Sequence, residues 1–231
     1  MQSIDWPSRA AVASIEAERI VVKVLILPHD GFCRGRDLPE QRKQQIQEAA
    51  GQQGMTLFQA LSLRRQLLRS MPGGMQRFAA SNAMGSMQGQ QDVAGLFEDC
   101  VADALRAKEI QFMTEAEMML EMRNGSRPRG PTPDILFARP VRISTPNGIM
   151  EVGWMDCKNF YGSALLSDCI RIPAGKLTAQ AERYTAAYGA GGFIFAQGFC
   201  KDLHQHLPLC TLLDAVPVVD MSRIEAFQAE S

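Results

Sequence analysis

Apolar residues recur along this chain first at helical spacing and later at strand spacing, and the change of period divides it. Leu57, Leu61 and Leu68 line one stripe of residues 56–70, with Thr56 suited to N-cap that helix. Residues 41–50 also read as a helix, and Gly51 and Gly54 bracket a turn between the two. Residues 19–27 are rich in Val and Ile and read equally as a strand or as a buried helix stopped by Pro28. Between 92 and 108, Val93, Phe97, Val101 and Leu105 fall at intervals of four, with Glu98 one residue off that row. Thr114 followed by Glu117 is a capping box opening a short helix over 114–122.

The period then drops to two. Residues 134–138 and 141–145 are short β-prone runs, Pro146-Asn147-Gly148 marks a tight hairpin turn, and 150–158 is the longest strand. Residues 176–188 are helical and end at Gly189, Gly191 and Gly192, and 193–197 and 215–219 read as two further strands. This order predicts an α/β fold, a mixed sheet flanked by helices. The helix, Gly-containing turn and helix of the front half form a helix-turn-helix-like module, a pattern shared with plain helical hairpins. A Met/Gln/Ser/Gly-rich stretch over 71–90 reads as a linker, dividing the chain into 1–90 and 91–231.

With 231 residues, 46% of them hydrophobic, the chain can bury a sizeable core; 21% charged residues and a net charge of −1 exclude a disordered polyelectrolyte and a strongly basic nucleic-acid binder. Its apolar runs are far shorter than the ~20 residues of a membrane span. The opening MQSIDWPSRA has no apolar core of a secretory signal, so an intracellular protein is expected. Charge is uneven: residues 1–90 hold 11 basic and 7 acidic side chains, residues 91–231 hold 13 and 18. A mildly basic front before an acidic back suits a segment that contacts nucleic acid ahead of an acid-bearing site. Arg64, Arg65 and Arg69 crowd one predicted helix and are candidates for phosphate contact. Six scattered cysteines lack any CxxC pair and read as reduced, mostly buried thiols, a reading favoured over a metal site formed by His204 and His206 between Cys200 and Cys210.

Acids and a lysine converge on the predicted strands. Pro133-Asp134 places a carboxylate at a strand entry, and Asp156-Cys157-Lys158 ends the long strand. Side chains alternate, so Asp156 and Lys158 share a face about 6–7 Å apart along the strand, with Trp154 on the same face and Cys157 on the other. The hairpin makes the strands of Asp134 and Asp156 neighbours. Two carboxylates and a lysine on one face suit metal-assisted phosphodiester hydrolysis: the acids hold Mg²⁺ and the lysine acts on charge developing at phosphate. Gln180 and Tyr184 lie at i and i+4 on one helical face, and Arg127 and Arg129 sit in the loop before Asp134, within reach of phosphate.

Asp134 and Asp156-x-Lys158 in this order resemble the PD-(D/E)XK nuclease superfamily. Residues 131–137 (PTPDILF), 152–162 (VGWMDCKNFYG) and 180–199 (QAERYTAAYGAGGFIFAQGF) are more closely similar to the TPD-motif family within it, which includes eukaryotic nucleases that bind codanin. The matching positions are Thr132-Pro133-Asp134, Trp154 to Lys158, Gln180, Tyr184, Tyr188-Gly189-Ala190-Gly191 and Gly198-Phe199; Ala190 stands where the family has proline. The resemblance covers about 98–218, and less distinctively the helical front. It implies a restriction-endonuclease-like fold acting as a nuclease on DNA. It further implies Asp134 and Asp156 as ligands of Mg²⁺ or Mn²⁺, with Glu98 near the metal, Lys158 as the catalytic cation, and Gln180 and Tyr184 contacting DNA or ordering Lys158. A nuclear or cytoplasmic location and a codanin-like protein partner follow from the same likeness. Two competing readings are a non-catalytic nuclease-fold scaffold for such a partner and a DNA binder using residues 41–70.

Overall fold

The computed structural model describes residues 2–7, 13–26, 38–71, 86–146, 148–166, 174–216 and 218–224. Strand β1 (Ser3–Asp5) is followed by helices α1 (Ile15–Leu25), α2 (Glu40–Gly51), α3 (Leu57–Ser70) and α4 (Ser86–Arg106). Then come β2 (Phe112–Thr114), α5 (Glu115–Arg123), the hairpin strands β3 (Ile135–Thr145) and β4 (Gly148–Lys158), α6 (Ala174–Tyr188), β5 (Gly191–Phe195) and β6 (Cys210–Asp214). The expected caps form: Thr56 and Thr114 each accept the backbone N–H three residues on, and Gln59 and Glu117 return the bond to the cap's own N–H.

The sheet is mixed and runs β1-β3-β4-β5-β6. β3 is antiparallel to β4, while β4, β5 and β6 are parallel neighbours. The free side of β3 takes two partners in turn, β2 antiparallel along Ile135–Phe137 and β1 parallel along Arg142–Ser144. The alternation of β4 sorts its side chains onto two cores. Trp154 joins Phe193, Phe195 and Tyr161 under α1, α2, α3 and α6, whereas Met155 and Cys157 join Ile4, Trp6 and Ile194 under α4. Residues on either side of position 90 thus share buried clusters, and β1 belongs to the same sheet as β4.

α3 fixes the ends of the strands. Ser62 Oγ accepts the Tyr161 N–H at 3.0 Å, Gln66 donates to the Tyr161 carbonyl at 2.9 Å, and Gln59 donates to the Gln197 carbonyl at 2.9 Å. Those backbone groups lie just past β4 and β5, where strand pairing stops, and α3's polar stripe satisfies them. α1 is held in the same way: buried Glu18 accepts from Ser163 Oγ at 2.9 Å and from the Leu165 N–H at 2.7 Å.

Several sequence expectations need correction. For residues 19–27 the helical alternative holds through Leu25, because Ser14 and the Asp202 carboxylate take up the first N–H groups of α1, and residue 27 lies outside the described residues. The runs 134–138 and 141–145 are one strand, with an irregularity between Leu136 and Val141 where Pro140 has no N–H to give. The last strand is Cys210–Asp214 rather than 215–219: Asp214 Oδ1 accepts the Val216 N–H and the Val219 N–H turns back to the Ala215 carbonyl, which ends the extended run. Of the expected linker, residues 86–90 already belong to α4, and residues 72–85 lie outside the described residues, as do Asn147, Cys33 and Cys169. Arg64 cannot contact phosphate: it is buried beneath α3 and donates to the Leu25 carbonyl at 3.0 Å, whereas Arg65 on the next position is exposed.

Candidate active site

The site forms where β2, β3 and β4 run out together. The ladder pairs Thr114 with Ile135 and Ile135 with Met155. One step further stand Glu115, Asp134 and Asp156, and Asp156 is paired with Phe193 on β5. Opposed residues project to one face, so Asp134 and Asp156 form an acid row, which the exposed Glu115, first residue of α5, adjoins through its backbone. The Glu115 N–H donates to the Asp134 carbonyl at 3.1 Å and continues the pairing beyond β2. With its backbone turned to Glu115, Asp134 sits opposite Asp156 in the position where facing side chains come closest.

Each carboxylate has a distinct anchor. Asp134 Oδ2 accepts the Cys157 N–H at 2.6 Å, supplying the partner that β3 no longer offers. Asp156 is buried and forms an ion pair with Lys158, whose Nζ also lies 5.4 Å from the centroid of the Phe193 ring. Glu98 reaches the group from α4, half-buried. Burial, then the charges of Asp156 and Glu98, push the Asp134 carboxyl up to about 8, against the opposing pull of the Cys157 N–H and Lys158. Burial raises Glu98 above the usual carboxylate range too, followed by the charges of Glu115 and Asp156. The Cys157 thiol, fully enclosed and next to these acids, is raised as well, which leaves it a packing group and not a nucleophile.

Tyr184 is buried with its ring edge-on to Trp154 at 5.1 Å, and its hydroxyl donates to the Thr132 carbonyl at 3.1 Å. Burial and the neighbouring Asp156 carboxylate raise its pKa, and Gln180, half-buried one turn earlier, lowers it. Tyr184 thus stands beside the acids, with Gln180 one turn away on the same helix. Trp154 shares the face of Asp156 but is fully buried, donating to the Gly189 carbonyl at 2.9 Å, so it is core. Gly191 permits that packing, since a Cβ there would lie 2.2 Å from the indole.

The loop arginines differ from each other. Arg127 is half-buried, 3.6 Å from Glu121, 3.5 Å from Met113 Sδ and stacked on Tyr188, a set of contacts that ties down the loop before Asp134. Arg129 is exposed. The Cys/His cluster does not assemble: Cys200 and Cys210 point into the core, while His204 is exposed beside the Lys201 carbonyl. Among the described residues, no three His, Cys, Asp or Glu side chains stand close enough together to enclose a metal ion, and no helix is long and apolar enough to cross a membrane.

The acid that sequence reading missed is Glu115. In the sequence it was only a residue of the short helix opened by the Thr114–Glu117 capping box, because a three-residue strand such as β2 carries too little periodicity to be seen. Once Thr114 pairs with Ile135, the register brings Glu115 to Asp134.

No solved structure matches this chain. Over 120 residues, 51% of the chain, it is 30% identical to uncharacterized protein L539 of Acanthamoeba polyphaga mimivirus, a longer protein of which the match spans 38%. Residues 75–215, more than half of the chain and all of the acid row, match the family described as "Protein of unknown function TPD sequence-motif". The chain belongs to this TPD sequence-motif family.

Proposed function

We propose that this chain is a divalent-metal-dependent nuclease with a restriction-endonuclease-like, PD-(D/E)XK core, hydrolysing phosphodiester bonds in DNA. The observation that supports it is the placement of Asp134, Asp156 and Lys158 on one face of two adjacent strands, with Glu98 brought to them by α4. The donors are carboxylate oxygens, the ligand type of Mg²⁺ and Mn²⁺; burial first, and then repulsion from Asp156 and Glu98, holds Asp134 at about 8, and a divalent cation would relieve that repulsion. Asp134 and Asp156 would hold the ion, and Glu98, not close enough to enclose it as the side chains stand, would have to move in to serve as a third oxygen donor. When bound, it supplies positive charge at the phosphoryl oxygen and makes water more acidic.

The chain's own residues account for the rest. Lys158, kept in line by Asp156 and the Phe193 ring, donates to a phosphoryl oxygen as charge builds there. Tyr184 fixes the Thr132 carbonyl beside the acids, and Gln180 next to it takes a DNA contact. A scaffold for a codanin-like partner has no physical need for carboxylates packed against one another, which favours catalysis.

A panel of labelled single-stranded, duplex, flap and junction DNAs with Mg²⁺, Mn²⁺ or EDTA tests the proposal. Cleavage that needs the metal and is lost in Asp134→Asn supports it. A wild-type protein that cuts nothing across the panel gives way to the scaffold reading.

A further inference from the structure

Thr132 is gripped from two sides. Its hydroxyl donates to Glu115 Oε1 at 2.8 Å, and its carbonyl accepts from Tyr184 at 3.1 Å. Glu115 in turn holds Asp134 by the backbone, through its N–H. Thr132 and Asp134 are separated only by Pro133, whose ring fixes its φ and leaves that segment few ways to move. The carboxylate of Asp134 is therefore aimed by what holds Thr132.

We propose that Glu115 is a positioning residue of the acid centre: by accepting the Thr132 hydroxyl it keeps the Asp134 carboxylate on the Cys157 N–H, facing Asp156. The threonine at this position supplies the hydroxyl that Glu115 accepts, and Glu115 is the first residue of α5, where its own N–H is already spent on Asp134. Its negative charge also ranks ahead of Asp156 among the neighbours that raise Glu98, so its carboxylate is close to the centre without being enclosed in it. Because Glu115 acts through a hydrogen bond, an amide oxygen serves in its place. The part of the inference that concerns metal affinity rests on the nuclease reading; the part that concerns Asp134 does not.

The test uses the full chain and four variants: Glu115→Ala, Glu115→Gln, Thr132→Val and Thr132→Ser. In the metal-free protein, hydrogen exchange of the Cys157 N–H should speed up about tenfold in Glu115→Ala and Thr132→Val, with Met155 unchanged. The two variants that keep the bond, Glu115→Gln and Thr132→Ser, should resemble the wild type. Mn²⁺ affinity, measured by calorimetry, should fall at least about tenfold in the first pair and stay within about threefold in the second, as for other groups that orient a metal ligand. Unchanged Cys157 exchange in Glu115→Ala overturns the proposal. So does a Glu115→Gln variant as impaired as Glu115→Ala, since charge and not the hydrogen bond would then be acting. A wild type that binds no Mn²⁺ rejects the metal reading alone, and the exchange result still decides on Glu115.

Discussion

The Asp134 side chain stands in for a missing strand. Its Oδ2 accepts the Cys157 N–H at 2.6 Å where β3 has yet to begin, so one carboxylate is both a sheet partner and a site acid. The two roles pull its proton in opposite directions. The hydrogen bond favours the ionised form, while burial and the charges of Asp156 and Glu98 favour the neutral one and prevail, setting the group at about 8.

Stability should consequently fall as pH rises. In the unfolded chain an aspartate titrates near about 4. Between there and about 8 the folded protein keeps a proton that the unfolded chain has lost. The contribution is complete below the lower value and disappears as pH passes through the upper one. The metal-free protein should show a melting temperature that declines from pH 5 to pH 9, and Asp134→Asn should flatten the decline. A variant profile as steep as the wild type would assign the effect to another group.

Metal should reverse that penalty. Ligands must be deprotonated to bind, so Mn²⁺ affinity should increase with pH towards about 8. At a hundred times its Kd, the ion should stabilise the fold by about 2.7 kcal/mol. Asp134→Asn should remove most of this increment in a thermal melt with and without Mg²⁺ or Mn²⁺. The same shift in both proteins would place the cation elsewhere.

The sequence made much of this centre readable because its parts are local. Two-residue alternation puts Asp156 and Lys158 on one face of β4, and i,i+4 spacing puts Gln180 and Tyr184 together on α6. Parity also separates Cys157 from Trp154 correctly between the two cores. What depends on register between distant segments was hidden. Glu115 reaches Asp134 only through the three pairs of β2 with β3, and β1 crosses from the far end of the chain to β3. The arginines of α3 show the same limit: a helical projection cannot say which residue lies under α1, and the structure buries Arg64 at the Leu25 carbonyl.

That difference separates two kinds of arginine variant. Arg64→Ala leaves a buried carbonyl without its donor and removes a packed stem, so it should destabilise the protein by about 2–4 kcal/mol in urea melts. Replacing Arg65 and Arg69 together should leave stability within about 1 kcal/mol. If they contact phosphates, the same double variant should weaken DNA binding and reduce the slope of log affinity against log salt by about 1–2. Unaltered affinity and slope would leave α3 as a packing element only.

Gly191 offers a test of the frame rather than the chemistry. A methyl group there would meet the Trp154 indole at 2.2 Å, with the ring already fixed by Gly189 and Tyr184. Gly191→Ala should destabilise by about 1–3 kcal/mol or more, as overpacked cores do. Near-ultraviolet circular dichroism should report a displaced indole. A variant with wild-type stability and spectrum would mean that Trp154 can move aside.

Lys158 distinguishes an enzyme from a scaffold. Its ammonium is tied to Asp156 and lies over the Phe193 ring, mostly shielded from water, at the end of the strand that carries the acids. In a nuclease it would act on charge that develops at phosphate during the reaction, which ground-state binding does not require. Lys158→Ala should therefore reduce the cleavage rate at least about a hundredfold while DNA affinity changes by less than about threefold. Metal affinity should be retained or increased, because Asp156 loses a competing cation. Lys158→Arg should restore little, since a planar fork does not fit where a compact charge is held against a ring. Cleavage by Lys158→Ala at the wild-type rate would reduce the residue to a partner for Asp156, and the reaction would have to be assigned without it.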